Sequence, residues 1–232
     1  MKLSAVIFDL DGTVVADEDE YGEAFGLVLK RLGINEKSEY PHVGGIGVKE
    51  NWPILIKKYN IKTDKSIDEL TALTQQEYEK LIPKVTLKEG FSEFVEDLHA
   101  SGILVALATS NTWQIVEKLF DHLHIEKYFD CVTTGEEVSS KKPAPDIFLT
   151  AAEKMGIVPE ECLVFEDSDS GIKAAKSAGM KVIGIYRDNK HLRALNNADL
   201  LKDSFNKVSL EEISKFFQNW KSDFLYSCLY LV

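Results

Sequence analysis

Paired cysteines, cationic runs and long apolar segments are all missing from this sequence, and each gap removes a class of protein. The three cysteines, Cys131, Cys162 and Cys228, lie far apart with no CxxC pair. They offer no disulfide framework and read as reduced core residues in a reducing compartment. No Lys/Arg run rises above a background whose net charge is −11, which removes nucleic acid from the expected partners. Nothing approaches the ~20 apolar residues of a spanning helix, and Asp9 and Asp11 break the first apolar stretch too soon for a signal-peptide core. No membrane contact is expected, and the cytoplasm is the expected location. With 44% hydrophobic and 28% charged residues in 232, this is a soluble globular composition, with one large core or a core plus a smaller domain.

What is present is organised around Ala5-Val6-Ile7-Phe8-Asp9-Leu10-Asp11-Gly12-Thr13. Four successive apolar residues, two of them β-branched, predict a short strand buried on both faces inside a parallel sheet. Along an extended chain Asp9 and Asp11 project the same way, so two carboxylates meet at the strand's C-terminal end. Desolvating them together costs on the order of several kcal/mol unless a cation or a shared proton compensates. A positive group is therefore expected nearby; the competing reading makes both residues turn and cap formers before Gly12.

From Val14 to Lys84 the periodicity is helical. Tyr21, Ala24, Phe25, Val28, Leu29 and Leu32 form one apolar face stopped by Gly33. A glycine-rich loop over 40–47 leads to a second helix predicted to begin around Asn51, with Pro53 in its first turn. Ser66 and Glu69 make a capping box for a third, striped by Ile67, Leu70, Leu73, Tyr78 and Leu81 and ended by Pro83. Such a row of helices after a buried strand predicts a small inserted domain over the carboxylate end, with one continuous core as the alternative.

After Gly90 helices and strands alternate, the mark of a parallel sheet with crossover helices. Further strands are predicted at 103–108, 131–134, 162–165 and 182–186. Thr109, Ser110 and Asn111 follow the second strand, either as an anion site at a helix N-terminus or as helix caps. Lys141-Lys142-Pro143-Ala144-Pro145-Asp146 is a stiffened turn that holds Lys142 in place, which makes sense beside carboxylates and a phosphate; a solvated lysine pair is the alternative. Glu166-Asp167-Ser168-Asp169 leave the fourth strand. With Asp9 and Asp11 they form an oxygen-rich site that suits Mg²⁺, since no His or Cys accompanies it.

Taken in order, Asp9-Leu10-Asp11-Gly12-Thr13, Thr109, Lys142-Pro143-Ala144-Pro145-Asp146, and Phe165-Glu166-Asp167-Ser168 with Gly171-Ile172 resemble the haloacid dehalogenase-type hydrolases. The nearest branch holds phosphatases and β-phosphoglucomutase. The resemblance implies an α/β fold with a Rossmann-like parallel core of five main strands, the first central, from residues 1–14 and 87–232. Residues 15–86 would be an inserted helical cap. It further implies a Mg²⁺-dependent phosphomonoester hydrolase for a small soluble phosphate ester, acting as a monomer or weak homodimer. Asp9 is the implied nucleophile, forming an aspartyl-phosphate, and Asp11 the implied acid and base. Asp9, the Asp11 backbone carbonyl and Asp167 are the implied metal ligands, with Glu166 as ligand or outer shell. Thr109, Ser110 and Lys142 would bind the phosphoryl oxygens. An acid for an alkoxide leaving group disfavours dehalogenation.

Substrate choice rests on the insert. Relatives often carry Asp at the place of Ala16 and His at that of Tyr21, and the mutases use that His to couple cap closure to proton transfer. Tyr21 therefore favours hydrolysis over phosphosugar mutation, and an idle phospho-ligand sensor is the reading from another class. Tyr21 and Lys49 are the candidate substrate residues, with Lys49 reaching a distal anion or standing as a solvated helix residue. The run Glu18-Asp19-Glu20 either selects polar or cationic groups or forms a wet face. Leu210, Ile213, Phe216 and Phe217 predict a last amphipathic helix. The apolar tail after it, Trp220 to Val232, packs on the core, contacts a subunit or membrane, or is a non-native translation product.

Overall fold

The computed structural model describes residues 2–35, 38 and 40–217. The chain runs β1 (Ala5–Phe8), β2 (Val15–Ala16), α1 (Glu18–Arg31), α2 (Val48–Tyr59), α3 (Ile67–Glu79), β3 (Thr86–Leu87), α4 (Phe91–Ala100), β4 (Leu104–Ala108), α5 (Trp113–Leu123) and β5 (Cys131–Thr133). It continues as α6 (Asp146–Met155), β6 (Cys162–Glu166), α7 (Asp169–Ser177), β7 (Lys181–Ile185), α8 (Asn189–Ala194) and β8 (Leu200–Lys202). Six strands form one parallel sheet in the order β5-β4-β1-β6-β7-β8.

The central place of β1 follows from its composition. Ile7 pairs with Ala106 on one side and Val164 on the other, and all four β1 residues are fully buried. On one face Phe8 stacks on Phe165 at 5.1 Å and meets Phe91 edge-on at 5.3 Å, geometries that aromatic rings favour. On the other face Ala5 and Ile7 pack with Phe148, Ala151 and Ile172 from α6 and α7. The sheet has one strand more than the five expected. β8 is three half-buried residues at an edge, too short to leave an apolar run.

The helical insert lies between β2 and β3, which pair antiparallel through Val15↔Leu87 and Ala16↔Thr86. The α3 capping box forms as predicted, with Glu69 N–H donating to Ser66 Oγ and Ser66 N–H to Glu69 Oε2. α2 differs: it begins at Val48, so Pro53 stands in its second turn. The cause is Asn51, whose side chain accepts from Val43 N–H (2.7 Å) and donates to the Val43 and Gly47 carbonyls (3.0 and 3.2 Å). That ties the preceding loop to the helix and winds 48–50 before the proline. Tyr21, Phe25, Trp52, Leu70 and Tyr78 of the insert belong to the same buried cluster as Phe8 and Phe165.

Residues 210–217 are helical, with Ile213 and Phe217 buried. The tail from Trp220, with Cys228, lies outside the described residues. Cys131 and Cys162 are free thiols. Among the described residues no helix is long and apolar enough to cross a membrane.

Candidate active site

The site is assembled where the parallel strands end. The ladder runs one residue past β1 and β4, Asp9 N–H donating to the Phe165 carbonyl and Thr109 N–H to that of Thr133, both at 3.0 Å. Beyond it the chain reverses sharply: the N–H groups of Thr13, Val14 and Val15 all point at the Leu10 carbonyl (3.3, 2.8 and 3.0 Å). Gly12 makes that turn with φ +73°, and a Cβ there would collide with the Asp167 carboxylate. Both the backbone angle and the close approach require glycine.

Lys142 is the positive group the paired carboxylates call for. Its side chain is 1% exposed and donates to Asp9 Oδ1 at 2.5 Å and Glu166 Oε1 at 2.6 Å. Burial works against its charge, but the Asp9 and Glu166 carboxylates outweigh it and its pKa ends raised. Burial pushes the Asp9 carboxyl up to about 8 against the pull of Lys142, with Glu166 and Asp11 adding to the rise. Glu166 is fully buried, and its second oxygen accepts from Ser168 N–H (2.7 Å) and Oγ (2.8 Å). Both its oxygens are thus engaged by protein donors.

Asp167 is different. It is 4% exposed, its Oδ1 is buried without a hydrogen-bond partner, and burial holds its pKa well above the usual range, with Glu166 and Asp9 adding to it. Asp9, Glu166 and Asp167 each bring a carboxylate oxygen within 4.8 Å of the others. An orphaned carboxylate oxygen in an all-oxygen cluster is the donor set a hard divalent cation takes, so these residues fit Mg²⁺.

Asp11 is half-buried and its carboxyl pKa is raised by burial. Asn111 Nδ2 lies 2.9 Å from each of its oxygens, and Asn111 Oδ1 accepts from the Tyr21 hydroxyl at 2.8 Å. Thr109 Oγ1 is farther from Asp11, at 3.5 Å, and accepts from Asn111 N–H. Tyr21 stacks on Tyr78 at 3.8 Å, and the Tyr78 hydroxyl donates to Asp17 Oδ2 at 2.5 Å. Asp17 is fully buried and also accepts from Gly12 N–H. Burial, and then the negative charge of Asp11, push its pKa well up.

Asp9, Asp11, Ser110, Asn111 and Asp167 line a cavity from the sheet side; Tyr21, Phe25, His42 and the 44–47 loop line it from the insert. It is a partly open cleft whose space, about 550 Å³, includes the open solvent at its mouth. The loop is pinned where Ser170 Oγ donates to the Gly45 carbonyl at 3.1 Å. At the rim Glu18 pairs with Arg187, and Asp19 accepts from the Tyr40 hydroxyl.

Asp9, Asp11, Thr109, Ser110, Lys142, Glu166, Asp167 and Tyr21 are therefore gathered in one place. Lys49 is not. It pairs with Asp68 at 2.6 Å on the exposed side of α2, 60% exposed and outside the cavity lining. Sequence reasoning did not single out Asn111 as a partner of Asp11, nor Asp17, Tyr78 and His42. The one available signal was Asn111's place directly after Thr109 and Ser110.

Carboxylates, a buried lysine and a hydroxyl at the carboxyl ends of parallel strands define an α/β enzyme of the kind that sets its chemistry at that edge. Residues 6–185 match the family described as haloacid dehalogenase-like hydrolase. The chain belongs to that family, within the phosphatase and β-phosphoglucomutase branch. It is 34% identical over 200 residues to a phosphorylated carbohydrates phosphatase of Thermotoga maritima, covering 84% of this chain and 91% of that one. It is 30% identical to a fructose-1-phosphate phosphatase of Escherichia coli, covering 79% and 97%. A β-phosphoglucomutase of Clostridium difficile has a similar structure, with TM-score 0.84, 26% identity, and 96% and 100% of the two chains covered. By class the protein is a phosphatase.

Proposed function

We propose that the protein is a Mg²⁺-dependent phosphomonoesterase that works through an aspartyl-phosphate on Asp9 and acts on a small sugar or polyol phosphate. The observation that carries this reading is Lys142 held 2.5 Å from Asp9, beside the unpartnered oxygen of Asp167 and one alternate residue from Asp11. An Asp9 oxygen attacks phosphorus as the ester P–O bond breaks, and Asp11 gives its proton to the departing oxygen. Water then attacks phosphorus, the bond from phosphorus to the Asp9 oxygen breaks and returns the Asp9 carboxylate, Asp11 takes the water's proton, and phosphate leaves. Lys142, Thr109 and Ser110 offset the negative charge on the phosphoryl oxygens. Held by Asp9, Asp167 and the Asp11 backbone carbonyl, Mg²⁺ would keep Asp9 ionised and add positive charge at the phosphoryl group. Glu166 serves as an outer support that fixes Lys142 and the Ser168 turn.

In this reading residues 15–86 act as a cap over the core of 1–14 and 87–232, and the enzyme is a monomer or weak homodimer. The names of the two relatives support the sugar or polyol class. The likeness to a β-phosphoglucomutase supports a second reading, phosphoryl transfer within a sugar phosphate. Phosphate release from a panel of sugar, polyol and aryl phosphates with Mg²⁺ tests both. Release that stops with EDTA and in Asp9→Asn is expected; interconverted hexose phosphates with little free phosphate would favour the mutase, and no turnover of any ester would sink the proposal.

A further inference from the structure

We infer that Asn111 and Tyr21 are a positioning pair that holds the Asp11 carboxyl group in line with the departing ester oxygen. This rests on the reading of Asp11 as the acid. A carboxyl group two bonds from the backbone turns about two torsions, and a proton donor is effective only when its oxygen lies within hydrogen-bond reach of the atom it protonates. Asn111 restrains that motion, because one Nδ2 group stands 2.9 Å from both Asp11 oxygens and so fixes the carboxyl plane. The Asn111 side chain is itself fixed from the far side, where its Oδ1 accepts from Tyr21 at 2.8 Å.

That second bond decides which end of the amide faces Asp11. Reversed, the amide would turn its own oxygen toward two carboxylate oxygens and leave its NH₂ on the Tyr21 side. Tyr21 is held in turn by its ring, stacked 3.8 Å from Tyr78 with an 8° tilt. Asn111 is 8% exposed and Tyr21 7%, so water competes poorly for either bond. In the first half-reaction the Asp9–P bond forms, the ester P–O bond breaks, and the electron pair left on the ester oxygen takes the Asp11 proton. The pair acts on that proton transfer, not on binding of the phosphoryl group.

The leaving group reads this out. A nitrophenolate departs without a proton, whereas phenoxide and alkoxides need one, and kcat/KM reports the steps through phosphoryl transfer. Tyr21→Phe keeps the stacked ring and removes only the hydroxyl; Asn111→Ala removes the amide. We expect each to lower kcat/KM by about 10- to 100-fold for phenyl phosphate and glycerol 2-phosphate, part of the 10²–10⁴ a general acid contributes. For 2,4-dinitrophenyl phosphate the change should be under about threefold. A loss of equal size for all three esters, or no loss in either variant, overturns the inference. Asp11→Asn separates the two levels: if it shows no leaving-group dependence, the reading of Asp11 as acid is at fault. If it shows a steep dependence and the other two variants do not, only the positioning role fails.

Discussion

His42 offers a sharp test of how the insert is packed. Its ring lies almost parallel to that of Phe25, 4.9 Å away, and its Nδ1 is buried with no hydrogen-bond partner. A proton added there would be a desolvated charge, so burial pushes the pKa down to about 4 from an ordinary 6.5. Between those values the unfolded chain binds a proton that the folded chain does not, so stability rises with pH across the window. The contribution is complete above 6.5 and is lost as pH falls through about 4. Worked from these two values, the loss is about 1.4 kcal/mol at pH 5.5 and about 2 kcal/mol at pH 5.0. His42→Phe keeps the stack and removes the titration. Urea unfolding of both proteins in EDTA from pH 5 to pH 8 gives a difference curve in which the carboxylates common to both cancel. The curve should be flat above neutrality and shift toward the variant by about 2 kcal/mol between neutral pH and pH 5. A difference that stays constant down to pH 5 would mean that the folded ring takes up its proton as readily as the unfolded one, and the packing argument would be wrong.

Three further outcomes are expected. Asp9→Asn should lower kcat by at least about 10³-fold while leaving the far-ultraviolet circular dichroism spectrum unchanged. Lys142→Met leaves two buried carboxylates without their cation and should cost about 3–5 kcal/mol in urea unfolding at neutral pH. Adding Glu166→Gln to it should recover part of that loss, and a double variant no more stable than the single one would refute the charge argument. Gly45→Ala imposes a side chain at φ +75° and drives its Cβ into the Ser168 side chain. It should cost about 1–2 kcal/mol of stability from the left-handed backbone alone and raise KM as the 44–47 loop is displaced from the cavity wall; an unchanged KM would show that the loop does not shape substrate binding.

The core of the site was legible because burial and acidity conflict so plainly there. Apolar runs that end in Asp9 and in Glu166-Asp167 read as strands feeding a charged edge, and Lys142 was expected beside the carboxylates on charge balance. Asn111 was harder, since its role depends on Tyr21, which lies 90 residues away in the chain. Asp17 stands just before Glu18-Asp19-Glu20, a run that reads either as a selector of polar or cationic groups or as a wet face. It alone of 17–20 is wholly buried, because it sits under Tyr78 where α1 begins. Lys49 reads from the sequence either as a contact for a distal anion or as a solvated helix residue, and its place on the exposed side of α2, paired with Asp68, accords with the second. β8 had too few residues to show any period.

The two rungs joining Val15 to Leu87 and Ala16 to Thr86 make the whole helical segment a detour that sets out and returns side by side. Lengthening, trimming or exchanging it would disturb none of the hydrogen bonds of the six-stranded sheet. The detour is stitched to the sheet beside Asp11, where Asp17 accepts from Gly12 N–H and Tyr21 donates to Asn111. A graft of a foreign detour onto this sheet would have to reproduce those two stitches, the hold of Ser170 on Gly45 and the apolar face shared with Phe8 and Phe165, as well as the neck itself.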